Sequence, residues 1–399
     1  MISNLKKFIS SESSGGMLLL WCAVLALIFA NFPGLSTFYN WFIHLKLELG
    51  IVLNGSVDEN VHFWINDGLM TFFFFAVGLE LKREMKEGQL KYIRQVMLPV
   101  FAALGGVVAP AIIFAVINWG DPIAIRGWAI PTATDIAFAV GVLVLLGKRL
   151  PTSLKIFVLT LAIMDDLCAI LIIAVFYTTQ MSYLFLGLAF LAIGIMIAMN
   201  LAGVSKKAPF VIMSVLLWFF VLNSGVHASI AGVAAAFTIP LYNKDGSSML
   251  KKFESILGTP VNLIVLPLFA FVNAGVSLVG LEASHVFGTV PVGTFLGLFV
   301  GKQIGIFIFA FIAIKTRFGY MPEKANWAQL YAVAIICGIG FTMSLFVDNL
   351  AYGEQSMALY HGADKLAILA GSVISGVVGY VVARIVGNNS DGSPKTKKA

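Results

Sequence analysis

The sequence is poor in charged residues and in cysteine. Only 12% of the 399 residues are charged, whereas 59% are hydrophobic, and the mean hydropathy is +0.93. Soluble domains carry about 25% charged residues, so this composition excludes a chain of soluble domains and indicates a polytopic membrane protein. The three cysteines, Cys22, Cys168 and Cys337, fall inside apolar runs, where a thiol acts as a small apolar residue. They form neither a disulfide framework nor a metal-ligand spacing.

Long apolar runs predict the membrane spans, because a helix needs about 20 mostly apolar residues to cross a bilayer. It also satisfies its backbone hydrogen bonds internally. The fold class is therefore all-α and polytopic, with twelve predicted transmembrane helices at 15–33, 61–83, 95–118, 127–146, 152–177, 182–202, 208–222, 225–241, 257–280, 291–314, 328–347 and 364–386. The first span follows two lysines as a signal peptide would, but nothing after it resembles a secreted domain, so we interpret it as a retained helix.

The distribution of basic residues predicts the orientation, because short cytoplasmic loops retain lysine and arginine. With the N-terminus inside, the predicted inner loops and tails contain all but four of the 26 lysines and arginines; the exceptions are Lys46, Arg126, Lys302 and Lys365. Both termini are then cytoplasmic, and residues 389–399 form a disordered cytoplasmic tail. The net charge of +6 follows from this asymmetry, so the predicted partner is the lipid bilayer and not a nucleic acid.

Four ionisable residues lie near the centres of predicted spans: Asp135, Asp165, Asp166 and Lys302. A charged side chain at mid-bilayer costs about 2.5 to 3.5 kcal/mol, so such residues face protein or water and are usually functional. Adjacent residues on a helix point about 100° apart, so one of Asp165 and Asp166 can face Lys302 while the other faces a cavity shared with Asp135. A structural ion pair is the alternative for Asp165 and Lys302 alone, but it leaves two acids without a base. Such acids bind protons near neutral pH.

Two of the spans are predicted to be broken helices. PTATDIAFAVG, from residue 131, surrounds Asp135 with a proline and hydroxyl side chains, and CGIGFTMS, from residue 337, brings Gly338 and Gly340 to the middle of the eleventh span. Close helix packing through small residues is the alternative for CGIGFTMS. Spans 3–5 and 10–12 have opposite topology, as an inverted repeat requires, and interrupted segments in matching places indicate a transporter site. Because helix ends carry partial charges, Asp135 would offset converging N-termini, and Lys302 converging C-termini.

Seven motifs in order along nearly the whole chain resemble the NhaA-type bacterial sodium/proton antiporters: FFFFAVGLELKRE (72–84), PTATDIAFAVGVL (131–143), LAIMDDLCAI (161–170), SGVHASIAGV (224–233), LPLFAFVNAGVSL (266–278), GKQIGI (301–306) and CGIGFTMSLF (337–346). The resemblance implies electrogenic, pH-regulated exchange of Na⁺ or Li⁺ for two protons across the bacterial inner membrane, for sodium and pH homeostasis and without a cofactor. It also implies one transmembrane domain over residues 1–388, with an interface part (spans 1–2 and 6–9) and a core part (spans 3–5 and 10–12). The homodimer contact expected from the family is a β-hairpin within residues 47–60.

The resemblance also assigns residue roles. It makes Asp165 and Asp166 ligands of the transported ion, with Asp166 the more direct ligand and with Thr134 and Asp135 nearby, and it pairs Lys302 with Asp165 when the ion is absent. It assigns pH regulation to Glu80, Arg83, Glu84, His227 and Glu254. A surface salt bridge and a structural histidine remain alternatives for these. Cys168 departs from the family, which has glycine there.

Two other functions compete with ion exchange. A sodium-coupled organic-anion transporter of similar fold would favour bases and amides at the midplane over three acids. An intramembrane aspartyl protease needs its two acids on facing helices, whereas Asp165 and Asp166 are adjacent on one helix. The sequence therefore predicts a transporter and not an enzyme.

Overall fold

A computed structural model describes residues 12–48, 58–178, 181–353 and 355–388. The chain forms two compact units. The first unit contains the described parts of Met1–Leu27, Gln89–Ala169 and Val276–Ala399, and the second contains those of Ile28–Gly88 and Ile170–Gly275. Two helices, Glu12–Asn31 and Thr152–Phe176, begin in one unit and end in the other. The predicted tail, residues 389–399, lies outside the described residues.

Within the described residues, eight helical segments are long and apolar enough to cross a membrane, or ten if two bent pairs each count as one span. The bent pairs are Gly15–Asn31 with Leu35–Ile43, at 112°, and Trp327–Ile336 with Phe341–Tyr352, at 48°. Large apolar side chains stay exposed along these helices, for example Trp21 and Val175, as lipid-facing residues do. The predicted all-α membrane fold class is confirmed, apart from one short pair of strands in the described residues of the second unit.

All described secondary-structure elements of the first unit are helices. Its main helices are Ile93–Ile117, Ala124–Thr132, Ile136–Leu145, Thr289–Leu296, Lys302–Lys315, Trp327–Ile336, Phe341–Tyr352 and Ala363–Val386, with short helices at Gln89–Lys91, Gly147–Arg149, Ala283–Val286 and Gln355–Tyr360. Ile93–Ile117 and Lys302–Lys315 approach through two glycines, because a Cβ atom on Gly105 would lie 2.2 Å from the carbonyl oxygen of Gly305. This close approach fixes the start of the helix that carries Lys302.

The second unit combines helices with one short antiparallel sheet. Its helices are Leu35–Ile43, Val61–Phe63, Met70–Lys86, Tyr183–Ala202, Lys207–Leu222, Ser229–Thr238, Met249–Pro260 and Leu266–Asn273, and its strands are Lys46–Glu48 and Asp58–Asn60. The strands pair in the register Lys46 with Asn60 and Glu48 with Asp58. These paired strands lie at the two ends of the segment 47–60 that was predicted to form a hairpin, and residues 49–57 lie outside the described residues.

In the part of the chain that the structure describes, three stretches of π-helix interrupt the regular helices. They cover Trp64–Leu69, Val261–Val265 and Gly297–Gly301, and hydropathy gave no sign of them. A short π-helical stretch inside an α-helix often occurs at a functional site. Gly297–Gly301 ends directly before Lys302.

The ninth span shows the largest difference between predicted and observed bounds. The prediction was 257–280, whereas helix runs from Met249 to Asn273 with one π-helical stretch. It begins early because the Ser248 hydroxyl accepts a hydrogen bond from the Lys251 amide and caps the helix, while nearby charged residues hide the start from hydropathy. It ends early where the Tyr39 hydroxyl lies 2.8 Å from the Phe271 carbonyl oxygen, which satisfies a group at the helix end.

Candidate functional site

Two interrupted helices meet in the first unit. Ala124–Thr132, a 3₁₀-helix, is separated from Ile136–Leu145 by residues 133–135, and Trp327–Ile336 is separated from Phe341–Tyr352 by residues 337–340. The interruptions are joined by a hydrogen bond of 2.7 Å from the Asp135 amide to the Ile339 carbonyl. We call residues 133–135 and 337–340 the junction. Both breaks lie where the sequence predicted them.

Gly338 and Gly340 allow the second interruption to pack closely. A Cβ atom on Gly338 would lie 2.6 Å from the carbonyl oxygen of Leu298, and one on Gly340 would lie 2.2 Å from the Ser344 hydroxyl oxygen. Both distances are shorter than a carbon atom tolerates. Close packing was the alternative to a helix break at these glycines, and the structure has both together.

Asp135 receives hydrogen bonds at the start of two helices. Its carboxylate accepts from the Phe138 amide at 3.0 Å and from the Thr342 amide and hydroxyl at 3.1 and 2.5 Å. Its side chain is buried, with 2% of the residue exposed. Helix N-termini carry partial positive charge, so the carboxylate offsets two of them, as the sequence predicted. The matching placement of Lys302 at converging C-termini stays a prediction.

Asp165 and Lys302 form a buried ion pair. The Lys302 ammonium donates a hydrogen bond to Oδ2 of Asp165, and both side chains are fully buried. The Thr134 hydroxyl lies 2.6 Å from the same Oδ2 atom and 2.9 Å from the Cys337 carbonyl oxygen. Its single hydrogen can serve only one of these two acceptors at a time. Thr134 therefore links the ion pair to the junction.

Asp166 follows Asp165 on the helix Thr152–Phe176 and is equally buried, with 1% exposed. Successive side chains point about 100° apart, so the two carboxylates face different surroundings. Among the described residues of the first unit, the buried acids Asp135, Asp165 and Asp166 outnumber the buried base, Lys302. Among the described residues, no three histidine, cysteine or acidic side chains are grouped closely enough to hold a metal ion by themselves. A cation here would also need hydroxyl or carbonyl oxygens.

A separate group of charged residues lies in the second unit. The Arg83 guanidinium forms ion pairs of 2.9 Å with Glu84 and with Glu254, and Glu80 is close enough to interact electrostatically with Arg83. We call these four residues the Arg83 cluster. The resemblance assigned all four residues to pH regulation, and in the structure they lie next to one another.

His227 makes contacts of its own in the second unit. Its Nε2 atom lies 3.3 Å from a carboxylate oxygen of Asp67, and its Nδ1 atom lies 2.7 Å from the Ser229 hydroxyl. The imidazole is largely buried, with 11% of the side chain exposed. Asp67 was not among the predicted site residues, and no pattern in the sequence pairs it with a histidine 160 positions later.

Thr342, two positions after the junction, is a residue to which the sequence analysis gave no role in the site. It lies in the CGIGFTMS motif, which was interpreted as a helix break, and its amide and hydroxyl both bind Asp135. A hydroxyl next to a predicted break, in a span that must meet a buried acid, was the available signal.

The fold and the site define a class of membrane protein. Helices interrupted at mid-span, meeting around an excess of buried acids, are the construction of a secondary transporter. The family model described as Na⁺/H⁺ antiporter 1 matches residues 6–383, and the chain belongs to that family. The family consists of transporters and not enzymes.

Several curated proteins are similar to this chain over nearly their full length. Na⁺/H⁺ antiporter NhaA 1 of Campylobacter hominis is 60% identical over 385 residues, which cover 96% of each chain. Na⁺/H⁺ antiporter NhaA of Campylobacter concisus is 49% identical over 399 residues, covering 100% of this chain and 97% of the relative. NhaA of Brucella ovis is also 49% identical, over 96% of this chain and 95% of the relative.

Proposed function

We propose that this protein exchanges Na⁺ for protons across the membrane, with Li⁺ as an alternative cargo. The observation that carries the proposal is the excess of buried acids over buried bases next to a junction of two interrupted helices. Relatives that are named as Na⁺/H⁺ antiporters support it. Three acids against one base disfavour an anion as cargo.

In the proposed mechanism, the cation and the proton compete for the same carboxylates. Hard alkali cations prefer oxygen ligands, and Asp166 and Asp165 supply them, with Thr134 and Asp135 beside them. The Oδ1 atom of Asp165 accepts no hydrogen bond from the described residues, so it is available to a cation. When the ion binds, Asp165 exchanges Lys302 for the ion, and the carboxylates release protons. Exchange follows because the charged, empty site does not cross the membrane.

Two protons move for each metal ion in this proposal, so one net charge crosses per cycle. A negative interior then drives protons inward, at about 2.3 kcal/mol per charge per 100 mV. Three buried acids provide enough proton-binding groups for this ratio. Transport is therefore expected to be electrogenic.

Regulation by pH is assigned to Glu80, Arg83, Glu84, Glu254 and His227. The support is that the first four share one cluster of ion pairs and that His227 lies beside an acid. A change of protonation in either place would alter ion pairs between helices of the second unit.

The proposed topology has twelve spans, with both termini in the cytoplasm and the chain in the bacterial inner membrane. Eight long helices, two bent pairs and the shorter apolar helices Lys207–Leu222 and Ser229–Thr238 account for that number. Interrupted helices in the fourth and eleventh places support an inverted repeat of spans 3–5 and 10–12. We assign the first unit to the core and the second to the interface and to a homodimer contact.

Inverted membrane vesicles that hold a respiratory pH gradient test the proposed exchange. Addition of NaCl or LiCl should collapse the gradient, and KCl should not. Asp166→Asn should abolish the sodium response, because it removes the carboxylate that binds both cargoes. Glu323→Gln, an exposed acid in the same unit, is the matched control. A full sodium response in the Asp166→Asn vesicles would refute the site assignment.

A further inference from the structure

A second pair of buried acids lies in the first unit, outside the proposed ion site. Asp348 is on Phe341–Tyr352, the second half of the interrupted helix, and Asp364 is at the start of Ala363–Val386. Neither residue is exposed. The two carboxyl groups are close enough to interact electrostatically, and two ionised carboxylates in one buried site repel each other. One proton on the pair removes this repulsion.

The hydrogen-bond partners show which carboxyl holds the proton. Asp364 accepts a hydrogen bond of 2.5 Å from the Ser356 hydroxyl and one of 2.9 Å from the Lys365 amide, so it is solvated as an anion. Within the described residues, no N–H or O–H group donates to either oxygen of Asp348. A buried carboxylate without donors is strongly disfavoured. A protonated carboxyl needs fewer donors and can itself donate to Asp364.

The surrounding charges agree with one proton on the pair. Lys365 is the base that interacts with both acids, and one lysine balances one carboxylate. Tyr360 lies near both acids and near Asp121. The hydroxyl of Tyr352 donates a hydrogen bond of 2.7 Å to the Ala124 carbonyl. Asp121 accepts from the amides of Ile123 and Ala124. Loss of the proton would leave an uncompensated charge between two helices.

We propose that Asp348 and Asp364 form a second proton-binding site, in which one proton joins the interrupted helix to the helix Ala363–Val386. The same half-helix holds Asp135 through Thr342, so this proton secures the helix that completes the junction. Proton binding by this pair does not depend on which ion the junction binds. It adds a proton-dependent contact to the first unit beyond the acids proposed for transport.

Infrared spectroscopy of the purified full chain tests for the shared proton. A protonated, buried carboxyl gives a carbonyl stretching band that a carboxylate lacks. Asp348→Asn should remove one such band at neutral pH, and Asp348→Glu should keep it at a shifted frequency. Glu323→Gln, which changes an exposed acid of the same unit, should leave it unchanged. A spectrum of the Asp348→Asn protein identical to that of the parent in this region would overturn the proposal.

Thermal stability across pH provides an independent measurement. The folded protein holds a proton that the unfolded chain releases, so stability from this pair is lost as the pH rises. Asparagine at position 348 keeps a donor for Asp364 without a titrating group. The melting temperature of the Asp348→Asn variant should therefore exceed that of the parent increasingly towards alkaline pH. Parallel curves for the two proteins would contradict a shared proton, whether or not the vesicles exchange sodium.

Discussion

Ion pairs in the two units differ in burial and not in chemistry. Next to the junction, the side chains of Lys302 and Asp165 are fully buried. In the Arg83 cluster, the side chain of Arg83 is 30% exposed and that of Glu254 is 29% exposed. Lysine, arginine and carboxylates meet at hydrogen-bonding distance in both. An ion pair therefore matters to stability mainly when water is excluded from it. Only then does loss of one partner leave a buried, uncompensated charge.

The largest effect is expected from Lys302→Ala. Removal of one partner from a buried pair costs about 3 to 5 kcal/mol, so the variant should melt well below the parent in detergent. The penalty should shrink at acid pH, where a proton can neutralise the carboxylate of Asp165. Melting curves over a pH series measure both effects.

Lys155→Ala is the matched control for that substitution. This lysine lies in the same unit and donates to the Gly147 carbonyl from an exposed position, so its loss should change stability little. The double variant Asp165→Asn with Lys302→Met should recover much of the loss, because no buried charge remains. A Lys302→Ala protein as stable as the parent at every pH would show that the pair contributes nothing.

A smaller effect is expected at the other end of the junction. Asp135→Ala removes an acceptor at two helix N-termini, and loss of one such cap costs about 0.5 to 2 kcal/mol. Thr342→Val removes the hydroxyl but keeps the amide that donates to Asp135. The melting temperature should therefore fall more for Asp135→Ala than for Thr342→Val. Equal losses would mean that the amide contacts of Asp135 do not stabilise the helix starts.

The more exposed Arg83 cluster should respond less in stability than the junction does. Arg83→Ala breaks ion pairs with Glu84 and Glu254, and solvent-exposed pairs contribute about 0 to 1 kcal/mol. The variant should melt close to the parent, yet its sodium-dependent exchange should have a shifted pH profile. Lys148→Ala, an exposed lysine of the first unit, should leave that profile in place. An unmoved profile in the Arg83→Ala vesicles would remove the cluster from regulation.

The sequence predicted the parts of the molecule that depend on hydropathy and on helix-breaking residues. Interruptions appear where Pro131, Gly338 and Gly340 weaken the helical pattern, and the buried pair of Asp165 and Lys302 follows from charges at mid-span. These signals are local, because each feature can be predicted from a single stretch of the sequence.

Contacts between distant segments could not be predicted in the same way. Thr342 contacts Asp135 from a segment 207 positions away, and neither motif indicates that it lies next to the other. Asp348 lies just outside the predicted span 328–347 and Asp364 at the edge of the predicted span 364–386, so hydropathy gave no sign that either acid is buried. Their burial depends on how the two helices pack, and hydropathy does not predict helix packing.

The smallest effect should come from Glu87, which lies beyond the helix Met70–Lys86. Hydrogen bonds from Lys251 and Tyr242 hold the pKa of this carboxyl below its ordinary value of 4.5, and the ion pair with Lys251 measures 2.7 Å. A carboxyl whose pKa is lower in the folded protein than in the unfolded chain stabilises the fold at pH values above the unfolded pKa. This stabilisation is lost as the pH falls through the folded pKa. Glu87→Gln should therefore lower the melting temperature slightly at neutral pH and not at all in strong acid. Lys251→Met should reproduce that pH dependence, and a difference that persisted in acid would show that packing, not charge, connects the two residues.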